Sequence, residues 1–513
     1  MTEDIFGANI IENLTTGMYQ DSKVIYREYI QNSCDQIDKA IKEGLLALGD
    51  GSIGIWLDHD KRKITIEDNA TGIPAADFQR TLRVIAGSDK RLGEDKGFRG
   101  IGRLCGLAYC DKLVFTTSAK GEDAVSIMEC NAKKMREMID ENLRDNKYTA
   151  TEVLNAINHF YQEKTEDIDS HFFRVELIGI NQENTDLLDF QQVKDYLAFV
   201  APVPYQNSFI YRSEVYNHAK VLKVKIDEYK ITLNGEPIFK KYTTILKDTT
   251  GNKYDEIFGV HFKDFYNEDG SLLAWMWVGL STFQKAIPKN NQMRGLRLRK
   301  ENIQIGGEDA LQKLFKQDRG NSYFIGEVFA IDKNLIPNSQ RDYFNENIAR
   351  AVFERQLRQY FNEELHRVYY NGSAVNSAYK KIDYYEEKKK EFEQKETAGE
   401  FVDYEHRQRE KQSVYKSQKA AEDAQKRINK IKENAGGLMQ KVINRIEIER
   451  PKNEVKSIID PSGDTKPPFR TDKLSKYSRN ERKLISKIFS IILSATDSKT
   501  AELIISKIEE GLQ

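Results

Sequence analysis

The sequence predicts an α+β fold followed by a helical C-terminal region. Three observations carry that expectation. Tyr26, Ile30, Ile37 and Ile41 recur at helical spacing within residues 23–44, and two short alternating runs follow, Ile53, Ile55 and Leu57 and then Ile64 and Ile66. Strand-like runs rich in bulky apolar residues return at 229–233, 272–278 and 323–331. From residue 376 to 450 the chain turns to Lys, Glu, Gln and Ala with no proline before Pro451, the composition of long exposed helices.

Taken in order, residues 23–44 read as an amphipathic helix. The polar stretch 58–63 turns between the first two strands, and residues 75–86 read as helix. Residues 87–103 are glycine-rich and charged and read as a loop, with a helix expected from Leu104 to Tyr109. Further strands are expected at 113–115 and 173–178, with helices between them. This makes a first domain over 1–185. A second mixed unit spans 186–372, with a polar loop near 332–342 and a helix over 345–360. Residues 373–450 read as long helices or a coiled coil that Gly436-Gly437 interrupts. Pro451, Pro461, Pro467 and Pro468 mark a linker over 451–472. A helical hairpin over 473–513 opens on the capping box Ser478-Arg479-Asn480-Glu481.

Composition excludes little by charge. Lys plus Arg is 79 and Asp plus Glu is 80, a formal net charge of -1 over 513 residues, so global electrostatics select no partner. Aromatic residues at 10% supply material for real cores, which argues against a disordered chain. Cys34, Cys105, Cys110 and Cys130 lack metal-ligand spacing and suit a reducing compartment. The acidic start Met1-Thr2-Glu3-Asp4 lacks an apolar signal core, and the run 488–493 is too short to span a bilayer. The expectation is a cytoplasmic protein with no membrane contact.

Three motifs carry chemistry. Glu28, Asn32 and Asp35 stand at i, i+4 and i+7, within roughly 60° of one another on the first helix. Such a stripe is either a solvated face or the wall of a cleft. In a cleft, a carboxylate can orient and deprotonate water, and an amide oxygen can ligate magnesium. Second, Glu67-Asp68-Asn69-Ala70-Thr71-Gly72 ends a strand. A carboxylate there can accept a hydrogen bond from the exocyclic amine of adenine, and Gly72 lets the backbone approach the base. Third, Lys96-Gly97-Phe98-Arg99-Gly100-Ile101-Gly102-Arg103 can wrap phosphates with backbone N–H groups. It has neither the strand-then-glycines order of a Rossmann unit nor the Gly-Lys-Ser/Thr ending of a Walker loop.

The order and spacing of these motifs resemble the ATPase superfamily of DNA gyrase, the heat-shock protein 90 chaperones, histidine kinases and MutL. The resemblance implies a Bergerat-type α/β sandwich that binds ATP with Mg2+ and hydrolyses it. In that pattern Glu28 resembles the general base, Asn32 the magnesium ligand and Asp68 the adenine-binding aspartate. Gly97, Phe98, Arg99, Gly100, Ile101 and Gly102 resemble the phosphate lid, and Asp35, Gly72 and Lys90 join the nucleotide-binding set. The chain departs from the pattern at Ala70, where relatives carry glycine, and at Phe172-Phe173, where many carry Gly-Thr.

The heat-shock protein 90 branch is the most similar. Its first helices resemble Tyr19, Lys23, Arg27 and Asp38-Lys39, and its middle-domain loop resembles 335–342, where Arg341 matches an arginine that reaches the γ-phosphate. The resemblance implies a homodimeric conformational switch acting on a protein client or a co-encoded partner. The alternative is a MutL- or microrchidia-like clamp on nucleic acid, conceivable in prokaryotic defence. Arg294, Arg297, Arg299 and Lys300 would offer that clamp a basic surface.

Overall fold

The computed structural model describes residues 6–15, 17, 21–85, 102–145, 147–397, 400–402, 404–450 and 471–513. The chain divides into two compact units. The first holds Met1–Ser281 and Ala286–Glu363, and the second holds Thr282–Lys285 and Glu364–Gln513.

The first unit opens with helices α1 (Asn9–Leu14) and α2 (Val24–Lys42) and strands β1 (Ser52–Asp58) and β2 (Lys63–Asp68). Helix α3 (Ala75–Arg83), strands β3 (Cys110–Ser118) and β4 (Ala124–Asn131), helices α4 (Ala132–Asp145) and α5 (Ala150–Ile157) and strands β5 (Asn158–Lys164) and β6 (Phe172–Ile180) follow. Helices α6 (Phe190–Val200) and α7 (Arg212–Val221) lead to β7 (Lys230–Leu233) and β8 (Glu236–Pro237). These strands form one eight-stranded sheet in the order β5-β4-β3-β6-β2-β1-β7-β8, so its last two strands come from beyond residue 185. Every pairing is antiparallel except that of β1 with β7.

The register explains the core. Ile53, Ile55, Ile64 and Ile66 alternate along β1 and β2 and are buried, while the intervening residues face the other side. Directly paired residues share a face, so Thr117, Phe173, Asp68 and Ile53 make one row, and Phe115, Val175, Ile66 and Ile55 make the next. Helix α2 packs into the same core through Ile30, Cys34 and Ile37. Its polar stripe is not a solvated face, because Glu28 and Asp35 are each 6% exposed.

Strands β9 (Ile245–Lys247) and β10 (Lys253–Glu256) pair with each other. A five-stranded sheet is built from β11 (Gly259–Tyr266), β12 (Leu272–Leu280), β13 (Gly295–Lys300), β14 (Ile303–Ile305) and β15 (Ile325–Ala330), in the order β11-β12-β15-β13-β14. Helix α8 (Ile348–Tyr360) follows it. On one face Trp275 stacks on Phe329 at 4.4 Å between ring centroids, and Trp277 packs edge-on against Tyr242.

The expected basic surface is absent from this sheet. Arg299 is 0% and Arg297 5% exposed. Arg299 bonds Glu327 and the Phe199 carbonyl, and Arg297 bonds Gln304. Arg294 lies 3.6 Å from Glu308, and Lys300 caps the Asp332 carbonyl at 2.8 Å. A cationic strand covered on both faces looks like a surface stripe in sequence, because alternation says nothing of the second layer.

Two further expectations change. The segment after the glycine-rich loop is a 3₁₀ turn, Gly102–Ala108, rather than the start of an α-helix, since Cys110 already enters β3. Strands β4 and β5 stand where only helices were expected, beside α4 and α5.

The second unit is helical: α9 (His366–Thr397), α10 (Tyr404–Glu433), α11 (Gly437–Ile448), α12 (Arg479–Ala495) and α13 (Ser498–Leu512). Helices α9 and α10 pack through Ile382, Tyr385 and Phe392 against Val414, Ala421 and Ile428. Gly437 opens α11 at φ +55°, a conformation that glycine adopts without steric cost. The Ser478 cap is reciprocal, with Ser478 N–H donating to Glu481 at 2.7 Å and Glu481 N–H donating to the Ser478 hydroxyl at 3.4 Å. Residues 451–470 of the expected linker lie outside the described residues.

Candidate functional site

Helix α2 delivers Glu28 into a buried position where two arginines meet it. Oε1 lies 3.3 Å from Arg27 Nη2 and 3.5 Å from Arg341 Nε. Arg341 belongs to the loop between β15 and α8, so Arg27 and Arg341, 314 residues apart in sequence, share one carboxylate oxygen. The loop is built to present that side chain. Pro337 bridges Phe344, Asn338 N–H donates to the Tyr343 carbonyl at 2.9 Å, and Arg341 N–H donates to the Asn338 carbonyl at 3.1 Å. Arg341 has φ +55°, a left-handed conformation costly for a residue that carries a Cβ. Gly306 N–H donates to its carbonyl at 2.8 Å, and Arg27 Nη2 donates to the Gln340 carbonyl at 3.1 Å, so both neighbours hold the turn.

Asp68 closes β2 and is 2% exposed. Its Oδ2 accepts from the Ser33 hydroxyl at 2.7 Å, and its Oδ1 accepts from Ala70 N–H at 3.1 Å. Burial is the dominant influence on the carboxyl and pushes it up to about 7, against the opposing pull of those two donors. Each oxygen retains acceptor capacity for a further donor.

The turn that follows depends on glycine at one point. Gly72 has φ +64°, and a Cβ there would fall 1.9 Å from the Ser118 carbonyl oxygen. Next to it, Ile73 N–H donates to the Thr117 hydroxyl at 2.9 Å, which itself donates to the Phe172 carbonyl at 2.7 Å. Ala70 is fully buried and its carbonyl lies 2.7 Å from His171 Nδ1, so the methyl group that departs from the expected glycine is seated in the core.

Asn32 lies one turn beyond Glu28 and is half-buried, and Asp35 is buried farther along the same helix. Gly102 is at the base of the Glu28 carboxylate, where a Cβ would fall 2.5 Å from Oε2. The structure therefore brings Glu28, Arg341 and Gly102 together. Lys90, Gly97, Phe98, Arg99, Gly100 and Ile101 lie outside the described residues.

Among the described residues there is no group of three His, Cys, Asp or Glu side chains that could hold a metal. Magnesium brought in with a nucleotide would ask less of the chain. That ion keeps waters and phosphate oxygens and needs only one or two protein oxygens, such as the Asn32 amide. No described helix is long and apolar enough to cross a membrane.

Sequence reasoning missed Arg27, Ser33, Thr117, His171 and Gln340 as members of the site. Arg27 and Ser33 flank motif residues, but their contacts depend on where α2 meets the sheet and the 332–345 loop. Thr117 and His171 are placed by strand register, which the sequence does not display.

Residues 20–163 match the family described as histidine kinase-, DNA gyrase B-, and HSP90-like ATPase. The chaperone protein HtpG of Coxiella burnetii (strain RSA 331 / Henzerling II) is 30% identical over 171 residues, covering 30% of this chain and 26% of the relative. HtpG of Psychrobacter cryohalolentis is 30% identical over 135 residues, 23% of this chain and 20% of the relative. HtpG of Escherichia coli O1:K1 / APEC is 31% identical over 123 residues, 20% of each. The chain thus spans about a quarter or less of the length of these relatives, as the 26% and 20% coverages show. The matched segment contains Glu28, Asn32, Asp68, Gly72 and Gly102, and over residues 20–163 the chain is similar to the histidine kinase-, DNA gyrase B- and HSP90-like ATPase family.

Proposed function

We propose that this chain binds ATP between α2 and the Asp68–Gly72 turn, hydrolyses it, and uses the cycle as a conformational switch on a protein partner. The observation that carries this reading is the contact of Arg341 with Glu28 at 3.5 Å, which joins the family-matched segment to the 332–345 loop. Asp68 would accept the exocyclic amine of adenine, and Gly72 would let the base lie against the backbone. Asn32 would hold magnesium, which supplies charge neutralisation to the phosphates when bound.

Glu28 would orient the attacking water and take its proton. While Arg27 and Arg341 both hold Oε1, that oxygen is engaged and poorly placed to do so. Transfer of the Arg341 guanidinium to the γ-phosphate would release it and stabilise charge on the transferring group. Turnover would then require the 332–345 loop to shift, which is how a chemical step becomes a mechanical one. Action on a protein client is the setting that relatives named chaperone protein HtpG support, and closure would take place in a homodimer. The nucleic-acid alternative loses its surface argument, since Arg297 and Arg299 are buried.

The test is a pair of variants. Glu28→Ala should retain ATP and lose turnover. Arg341→Ala should lose turnover by about 100-fold while ATP affinity stays within about threefold. Wild-type turnover in either protein would overturn the assignment.

A further inference from the structure

Immediately after Glu28, α2 carries Tyr29, to which the proposed reaction gives no part. Tyr29 is 2% exposed, and a phenol in such a core needs partners for its hydroxyl. It finds them in the turn Gly102–Ala108. The hydroxyl donates to the Arg103 carbonyl at 3.0 Å and accepts from Gly106 N–H at 3.2 Å. Burial raises the phenol far above its ordinary range, so it keeps the proton it donates. Residue 106 is glycine for a local reason: a Cβ there would fall 2.5 Å from the Tyr29 hydroxyl. Four residues earlier, Gly102 meets Glu28 in the same way, with a Cβ 2.5 Å from Oε2. Two neighbouring residues of α2 therefore set its distance from the turn at two points, and Tyr29 supplies directional bonds there.

We propose that Tyr29 is a positioning residue for the phosphate side of the site: its hydroxyl pins the Gly102–Ala108 turn, and with it Gly102, in register against the Glu28 carboxylate. The proposal rests on the ATP reading given above. Phenylalanine keeps the ring and its packing but leaves the Arg103 carbonyl and the Gly106 N–H without that partner. Misplacement at this point affects groups that meet phosphate and water, and spares the base end at Asp68.

The experiment uses Tyr29→Phe, Tyr29→Leu and Gly106→Ala in the full chain, measuring ATP turnover and the affinities for ATP and AMP. Tyr29→Phe is expected to lower kcat/KM for ATP about five- to tenfold while AMP affinity stays within about twofold. Tyr29→Leu, which also lacks the hydroxyl, should lose at least as much turnover. Gly106→Ala, which crowds the hydroxyl and leaves α2 unaltered, should give the same split. Wild-type kcat/KM in Tyr29→Phe overturns the proposal, because packing alone would then suffice. Equal losses for ATP and AMP also overturn it, as a merely structural role would weaken both ends of the site. If Tyr29→Leu or Gly106→Ala does not fold, Tyr29→Phe decides alone. Failure of the underlying reading looks different, since the wild-type chain itself would then bind neither nucleotide.

Discussion

Replacing Asp68 with asparagine should separate the fold's interest from the site's. The carboxyl is pushed from 3.8 up to about 7, with burial as the first cause. A carboxyl raised in the folded state lends stability that is fully present below its unfolded value of 3.8 and is lost as the pH rises through about 7. At pH 8 the folded chain therefore holds a buried carboxylate at a cost of up to about 4 kcal/mol relative to the protonated form. Asparagine has nearly the same shape and no such cost. Its amide oxygen can accept from Ala70 N–H, and its amide nitrogen can donate to the Ser33 hydroxyl, so neither neighbour is orphaned. Asp68→Asn should be more stable than wild type at pH 8 by up to about 4 kcal/mol and at pH 5 by less than about half as much, since the wild-type carboxyl has by then lost only part of its advantage. The variant should also bind ATP at least about tenfold more weakly at pH 8, having lost a charged acceptor for the adenine amine. Urea unfolding at both pH values and calorimetric titration with ATP read the two effects. A stability difference that does not change between pH 5 and 8, or undiminished ATP affinity, would refute the reasoning.

Two other substitutions probe the frame. Glu327→Gln removes the anion that Arg299 and Lys240 share, all three side chains being fully buried. Burial and the nearby Arg299 already push Lys240 down, so the loss should cost about 3–5 kcal/mol in urea unfolding, and a change under about 1 kcal/mol would contradict it. Gly72→Ala places a methyl 1.9 Å from the Ser118 carbonyl oxygen at φ +64°. The β3 backbone would have to move, so ATP binding should be lost together with at least about 2 kcal/mol of stability. Retention of both by the alanine variant would show that the turn is free to rearrange.

Much of this architecture is legible in sequence where a local rule suffices. Helix α2, strands β1 and β2, and the Ser478 cap follow from apolar period and side-chain chemistry over a few residues. The pairing of β7 with β1 is not legible, because it joins residues 178 apart, as Ser52 with Lys230 shows. Nor is the burial of Arg297 and Arg299, which depends on what covers the second face of β13. Within the site, Glu28, Asp68 and Gly72 announce themselves by spacing. Arg27 does not, since an arginine beside a glutamate on a helix is ordinary until the Gln340 carbonyl arrives at 3.1 Å.

That arrival bears on how the proposed exchange of Arg341 could proceed. Glu28 and Arg341 side chains are each 8% exposed, so breaking their contact would leave a buried carboxylate, and an unpartnered buried charge costs several kcal/mol. Arg27 changes that balance. Its Nη2 lies 3.3 Å from the same Oε1, so the carboxylate would keep a cation and a hydrogen bond if Arg341 departed. The same guanidinium nitrogen also holds the carbonyl of Gln340, the residue before Arg341, so one atom touches both the base and the arginine loop. A γ-phosphate would then compete with Glu28 for only one of its two cations. On the proposed reading, Arg27 is what lets Arg341 leave the base without orphaning it, and residues 27–29 make a single helical turn that touches the arginine loop, the base oxygen and the glycine turn together.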